Sequence, residues 1–437
     1  MPAGRPNVLL VVLDSVRARN CSLYGHRRDT TPFLKALAAE ATLYTQARAP
    51  SNWSLPSHVS IFTGIETHAH KVTTHDRLRP GHTVFDTLSD RGYRTGLFTE
   101  NGFLASHESG LCDAFETVRT VPDDYDSVYD TAELNPGPDG FYYADAFEAW
   151  RVSGTEPWAA CLNLMDSHRP FEPRARFDRW GDRRAREFQS DLPTRWEWAF
   201  HGGDRPYGRL SALERLYDGG IRQADAIVER VVDRLRASDD LNDTLLVICG
   251  DHGDGFGEPG LLDGEPPAVS HIVPMHETLL RVPLLVRPPG GNDGRTCHDP
   301  AALTSFPEVT LDAIDGAPVA DGFARDRVYA TKQPVTATLR ERFEDACADP
   351  DRFTAPSRAV YRPDDADPNA VRKRYYWGGE AVECRIRTPG DTSVVGRITP
   401  DCVDAAFDDP DPRVRAPLDG RQVTDGTREQ LAALGYY

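Results

Sequence analysis

Lysine is nearly missing from this chain: it occurs only at 35, 71, 332 and 373 in 437 residues, so arginine carries almost all the positive charge. Even so, 50 basic side chains stand against 68 acidic ones, for a formal net charge of −18. That balance argues against nucleic acid and anionic membranes as partners. The arginine bias fits a high-salt or compositionally skewed host and says nothing about chemistry. No apolar run reaches the length of roughly 20 residues that crosses a membrane as a helix. The N-terminal MPAGRPNVLLVVLDS is too short for that, and no small-residue cleavage site follows it. None of the eight cysteines is paired as CxxC, and Cys161 and Cys249 lie within apolar, strand-like runs, where a thiol behaves as a small hydrophobe. They read as free thiols in a reducing compartment, and the expected location is cytoplasmic.

What the chain does contain is a set of apolar runs that each stop at polar residues. Thr244 to Cys249 is a run of mostly branched apolar side chains, the pattern of a strand buried on both faces, and Asp251 and His252 follow it. Asn7 to Leu13 repeats the pattern and ends at Asp14. Gly92 to Phe98 leads into Glu100-Asn101-Gly102, and Trp158 to Met165 into Asp166-Ser167-His168. Strand ends in one sheet converge, and ligands of open α/β sheets bind at the carboxyl edge, so Asp14, Asn101, His168, Asp251 and His252 are predicted to share one cleft. An adjacent Asp and His suit a divalent cation; the same pair also reads as a helix cap and turn.

Ser54, in APSNWSLPSHVSIFTG at 49–64, precedes a helical pattern with apolar residues at 55, 59, 61 and 62. Its hydroxyl would sit where unpaired backbone N–H groups face a bound anion, although serine is also an ordinary N-cap. Helices are predicted over 30–41, after a Thr cap, and over 213–236. Residues 120–150 and 172–212 read as polar insertions above the cleft or as solvated decoration. His271 follows a Gly/Pro-rich loop, and a strand is expected over 282–286. Past residue 322 the pattern turns to short β-like pieces, such as 327–331 and 374–377, closed by a helix at 427–434.

Five stretches occur in a telling order: NVLLVVLDSVR at 7–17, WSLPSHVSIFTG at 53–64, HAHKV at 68–72, NLMDSHRPF at 163–171, and VICGDHGDGFGE through HETLLRVPLLV at 247–286. Threading most of residues 5–290, they resemble the sulfatase family of the alkaline phosphatase superfamily. The resemblance implies a three-layer α/β sandwich around a large, mostly parallel sheet. It also implies a catalytic domain over 1–322 and a small C-terminal antiparallel α+β subdomain over 323–437. It implies one divalent metal held by Asp14, Asp251 and His252, with calcium, magnesium, manganese and zinc not distinguished. Ser54 falls at the nucleophile, and His168 and His271 are placed as catalytic groups near the substrate anion and the leaving group. Asn101, His70 and His58 are assigned to substrate binding.

The departures from the family pattern carry weight. Arylsulfatases oxidise a Cys or Ser in Cys/Ser-x-Pro-x-Arg to formylglycine, whereas this chain has His58 at the Arg position, so the conversion is not expected. Asp14-Ser15 replaces a tandem Asp pair, and Asp251-His252 is closer to phosphonate ester hydrolases and phosphoglycerol transferases than to arylsulfatases. A formylglycine hydrate expels sulfate by collapsing to the aldehyde, a route closed to an ordinary serine ester. An unmodified Ser54 intermediate must instead be resolved by a second attack at the central atom, which favours phosphorus. The expected function is hydrolysis of a sulfate or phosphate ester, of a small molecule or glycan, through a covalent Ser54 intermediate. The alternatives are a phosphoryl or phosphoglycerol transferase acting on a glycan or lipid, and an inactive relative that binds anionic glycans.

Overall fold

The computed structural model describes residues 5–105, 108–122, 125, 137–193, 196–271, 275–335, 337–388 and 391–418. Asn7–Leu13 (β1), Thr42–Tyr44 (β2), Arg94–Phe98 (β3), Thr117–Arg119 (β4), Trp158–Leu164 (β5), Thr244–Cys249 (β6), Leu284–Arg287 (β7) and Arg295–Cys297 (β8) form one sheet. Across it the order is β8-β2-β7-β6-β1-β5-β3-β4. All neighbours run parallel except at β7, which is antiparallel to both β6 and β2. The continuous apolar runs therefore take the central places, where both faces must be covered.

Alternation along β1 shows the three layers. Val8, Leu10 and Val12 pack on the side of the helix Ser54–Thr63 (α1), whereas Leu9, Val11 and Leu13 pack on the side of Gly140–Arg151 (α2) and Leu210–Ala237 (α3). The helix expected over 213–236 is this last element, extended by three residues at its start. The helix expected over 30–41 is shorter, Pro32–Leu37 followed by a 3-10 turn. Segments read as polar insertions contribute instead to the core: Phe141, Tyr143, Phe147, Trp196 and Phe200 are all buried on the α3 side of the sheet. Their aromatic side chains, spaced at helical intervals among charged ones, carry that burial. The helix expected at 427–434 lies outside the described residues.

Register fixes where the strand ends meet. Val12 of β1 lies level with Cys249 of β6, so continuing the pairing brings Asp14 beside Asp251. Two glycines permit the close packing beneath this edge. A Cβ on Gly253 would come 2.0 Å from the Thr278 carbonyl, and one on Gly220 of α3 would come 2.2 Å from the Asp166 carbonyl.

Val328–Thr331, Arg358–Pro363, Val371–Trp377, Glu380–Thr388 and Asp391–Ile398 make a second, wholly antiparallel sheet with its own core. A buried charge cluster joins it to the larger sheet. Glu277 lies 3.0 Å from Arg48 Nη2 and 3.1 Å from Lys373 Nζ, and accepts a hydrogen bond of 2.6 Å from Tyr361 Oη. Burial opposes the charge on Glu277, but Arg48 and Lys373 outweigh it and hold the carboxyl at about 2 against an ordinary 4.5. Its stabilisation is complete above 4.5 and is lost as pH falls toward about 2. Glu277→Gln leaves two buried cations without an anion and is expected to cost about 3 kcal/mol, read as a lower denaturation midpoint at pH 7. The difference between variant and wild type should shrink as pH falls below the ordinary glutamate range.

Candidate active site

Asp14, Asp251 and His252 meet at the carboxyl edge of β1 and β6, each buried, with one ligand atom apiece lying within 4.8 Å of the others. The backbone N–H groups of Ser15 and His252 donate to Asp251 Oδ1 at 3.1 and 2.9 Å, leaving Oδ2 without a hydrogen bond and turned toward the cluster. His252 Nδ1 donates to the Gly253 carbonyl at 2.8 Å, so Nε2 carries the lone pair. That nitrogen lies 3.4 Å from Asp251 Oδ2 and 3.8 Å from Asp14 Oδ1.

Charge in the cluster is unbalanced in a way that suits a cation. Burial and the neighbouring Asp14 push Asp251 up, against the pull of His252 and His58. Burial would also raise Asp14, but His168, His252, His58 and the Asn101 amide hold it down. Burial would lower His252, and the two carboxylates raise it instead. An orphaned buried carboxylate oxygen, two adjacent buried acids and an imidazole with its lone pair inward fit a divalent ion, and the mixed oxygen and nitrogen set admits several.

Ser54 opens α1, with Trp53 extended before it, and is 7% exposed. Its Oγ is 3.1 Å from His252 Nε2 and donates to Asp14 Oδ2 at 3.4 Å. The hydroxyl thus sits on the cluster, at the mouth of a ten-residue helix whose first N–H groups have no helical partner. His271 stands beside His252, and His168 stands beside His271. The His271 ring is 4.6 Å from that of His252 and 5.5 Å from that of His168. His271 is delivered by the hairpin of Gly255–Glu258 with Ala268–Ser270, and Asn52, two residues before Ser54, donates to its carbonyl at 2.7 Å.

Three predicted substrate contacts are placed otherwise. His70 lies behind α1, where Nδ1 accepts from Val72 N at 3.0 Å and Nε2 meets Ser60 Oγ at 3.1 Å; burial pushes it down to about 3, so it is a neutral brace of the helix. His58 is fully buried, donates to the Ser54 carbonyl at 2.9 Å and stands 3.6 Å from Asp251 Oδ2, beneath Ser54. Its place one turn along α1 from Ser54 is what turns it inward. Asn101 is 4% exposed and donates to Asp14 Oδ2 at 2.9 Å while accepting from Phe103 N, so its amide orients a carboxylate.

Other side chains of the site were missed in the sequence. Asn163, inside the apolar β5, brings its amide 3.4 Å from Asp14 Oδ2 and accepts from Thr99 Oγ1 at 2.8 Å. A polar residue in a strand buried on both faces is itself a signal, since it must find partners. Asp254, buried and pushed up to about 6 by burial against the pull of His168, His252 and Arg17, lies 3.7 Å from His271 Nδ1. Arg17 ties down the loop carrying Asp254, bonding its carbonyl at 2.9 Å and Glu258 at 2.6 Å.

The Sulfatase family model matches residues 6–315. Arylsulfatase K of Canis lupus familiaris is 31% identical over 108 residues, a match spanning 24% of this chain and 20% of that protein's own length. Among solved structures, the phosphonate monoester hydrolase of Agrobacterium radiobacter superposes with a TM-score of 0.63 at 17% identity, covering 88% of this chain and 89% of that one. The phosphonate monoester hydrolase of Silicibacter pomeroyi gives 0.63 at 18% identity, with 92% of each chain covered. These likenesses describe the fold.

Proposed function

Because this chain belongs to the sulfatase family, we propose that it is a metal-dependent ester hydrolase whose unmodified Ser54 attacks the central atom, with phosphorus esters preferred over sulfate. The observation that carries this reading is the placement of Ser54 Oγ, 3.1 Å from His252 Nε2 and 3.4 Å from Asp14 Oδ2, at the N-terminus of α1. Asp14, Asp251 and His252 would hold the ion. When bound, a divalent cation supplies positive charge that lowers the pKa of a nearby hydroxyl and offsets charge building on the ester.

The remaining chemistry belongs to the chain. The first N–H groups of α1 face the equatorial oxygens, where the helix end favours negative charge. Ser54 Oγ, its proton released to solvent as the hydroxyl ionises, forms a bond to phosphorus as the bond to the alcohol oxygen breaks, and that oxygen takes a proton from His168 or His271. Asp254 keeps His271 in place. A water then attacks the seryl ester, freeing the phosphoryl group and restoring the hydroxyl. Neither His70 nor His58 touches the ester in this scheme, the first bracing α1 and the second supporting Ser54 and Asp251 from below.

Rapid acid quenching during turnover of a phosphate or phosphonate ester, followed by mass analysis of the Ser54 peptide, tests the covalent step. The expected result is an ordinary serine in the resting protein and a phosphoryl adduct on the same residue during turnover. An aldehyde at position 54 would overturn the proposal. An acceptor alcohol that captures the adduct in preference to water would move the reading to a transferase.

A further inference from the structure

One residue along the sheet edge from Asn101 lies a cavity that the reaction as described does not use. It has a volume of about 340 Å³, and Glu100, Asp139, Asp166 and Glu172 line it together with Tyr143. Glu100 immediately precedes the Asn101 that holds Asp14, and Asp166 stands two residues before His168, so the cavity adjoins the candidate site along the ends of β3 and β5.

Its charge is one-sided. The cationic side chain on its wall, Arg174, is committed to Asp139, with Nη2 2.9 Å from Oδ1. Asp166 Oδ1 accepts from Gln223 at 2.6 Å and from Gly140 N at 3.3 Å, while its Oδ2 makes no hydrogen bond among the described residues. Tyr125 and the stretch 137–143, which supply part of the wall, contain one acid, Asp139, and no Lys or Arg.

A second observation points to a ligand. Tyr143 is 1% exposed, yet its hydroxyl lacks a hydrogen-bond partner among the described residues. It opens onto the same spot as Glu100: a Cβ on Gly137 would come 3.2 Å from Tyr143 Oη and 2.8 Å from Glu100 Oε2. A buried hydroxyl left unpaired beside a carboxylate costs free energy that a donor arriving from outside would recover.

A bare metal ion does not suit the space. Among the described residues the one group of three or more acidic, His or Cys donors that closes within 4.8 Å is Asp14, Asp251 and His252, so the carboxylates of this wall stand too far apart to share an ion. An organic cation, larger and needing no tight coordination shell, matches both the spacing and the volume.

We propose that this cavity receives an ammonium group carried by the alcohol part of the substrate, so that the chain acts on esters of amino alcohols with a short alkyl chain. Glu100 and Asp166 supply the countercharge, and the Tyr143 hydroxyl oxygen and ring edge the space between them. The inference rests on the hydrolase reading for its reaction but on the cavity alone for its ligand. Burial, with Asp166, Asp14 and Asp139 nearby, pushes Glu100 up to about 8, as expected for carboxyls crowded together without a countercharge.

Phosphoethanolamine and its uncharged isostere propyl phosphate, compared for kcat/KM, isolate the charge. The expected preference for the cation is about tenfold or more, carried by KM. It should fall toward one in Glu100→Gln/Asp166→Asn, and Tyr143→Phe, which keeps the ring, should reduce it in part. Equal or reversed preference in the wild type overturns the inference. If neither ester turns over, the hydrolase reading fails, and titration with methylammonium decides the cavity separately. Saturable binding that weakens about tenfold in the double variant supports the site, and no binding to the wild type overturns it.

Discussion

Ser54→Ala is expected to lower turnover of any ester this chain hydrolyses by roughly 10⁴-fold or more while leaving its melting temperature almost unchanged. The size follows from what the hydroxyl does, since Ser54 Oγ lies on both Asp14 Oδ2 and His252 Nε2, whereas the other hydroxyl at the cluster, Ser15 Oγ, bonds Asp14 Oδ1. The small effect on stability follows from what surrounds it. Removing Oγ deletes the 3.4 Å bond to Asp14 and the 3.1 Å contact with His252 Nε2, while the Asp14 carboxylate keeps its bonds from Asn101 and Ser15. Ser54→Cys places a bulkier, softer nucleophile on a site built for oxygen and should recover little. The measurement is kcat/KM beside a thermal melt, and a variant that retains full rate removes Ser54 from the reaction.

Chelation is expected to have the second largest effect: activity falls by about a thousandfold or more, and the melting temperature drops by a few degrees, both restored by adding a divalent ion. Without a cation, two buried carboxylates face each other, and burial together with Asp14 pushes Asp251 toward its protonated form. An ion held at 100 times its Kd would stabilise the folded state by about 2.7 kcal/mol. Because a proton must leave Asp251 for the ion to enter, affinity is expected to weaken as pH falls through the raised value of that group. Asp251→Ala should abolish both the activity and the thermal response to metal. A melting temperature indifferent to chelator and to every divalent ion would contradict the assignment of these three ligands.

The sheet edge carrying Asp14 and Asp251 was legible because two signals coincide there. Apolar runs identify buried strands, and the residue that ends each run falls at a predictable place in a parallel sheet. Register then turns Asp14 and Asp251 into neighbours without any knowledge of side-chain geometry. Ser54 was legible from the helical spacing that follows it. Direction was not: His58 is one turn from Ser54 and points beneath it, and His70 lies on the next turn of chain but bonds to Ser60 behind α1. Sequence proximity to the nucleophile could not separate a residue facing the substrate from one supporting the helix. Asn101 lies at the cluster, where its amide serves the Asp14 carboxylate, a partner that a strand-end amide takes as readily as a substrate oxygen. Asp254 depends on contacts across the cleft that no local pattern encodes, whereas Asn163 was marked by its place in an apolar strand but its partners were not. The segment at 140–151 was obscured by Asp145 and Glu148 among its aromatics, and the segment at 196–201 by the arginine-rich sequence that precedes it, although its one acid, Glu197, is itself buried.

The central claim is that an unmodified serine, set on a divalent-cation site, does the chemistry that formylglycine does in arylsulfatases, and that this favours phosphorus. Parallel turnover of nitrophenyl sulfate, phosphate monoester, phosphate diester and phosphonate ester, each with calcium, magnesium, manganese and zinc and with Ser54→Ala as the blank, tests it most directly. The account predicts a metal-dependent rate above the blank for at least one phosphorus ester and a lower rate for the sulfate. Preference for the sulfate, or a rate equal to the blank for all four, would contradict it.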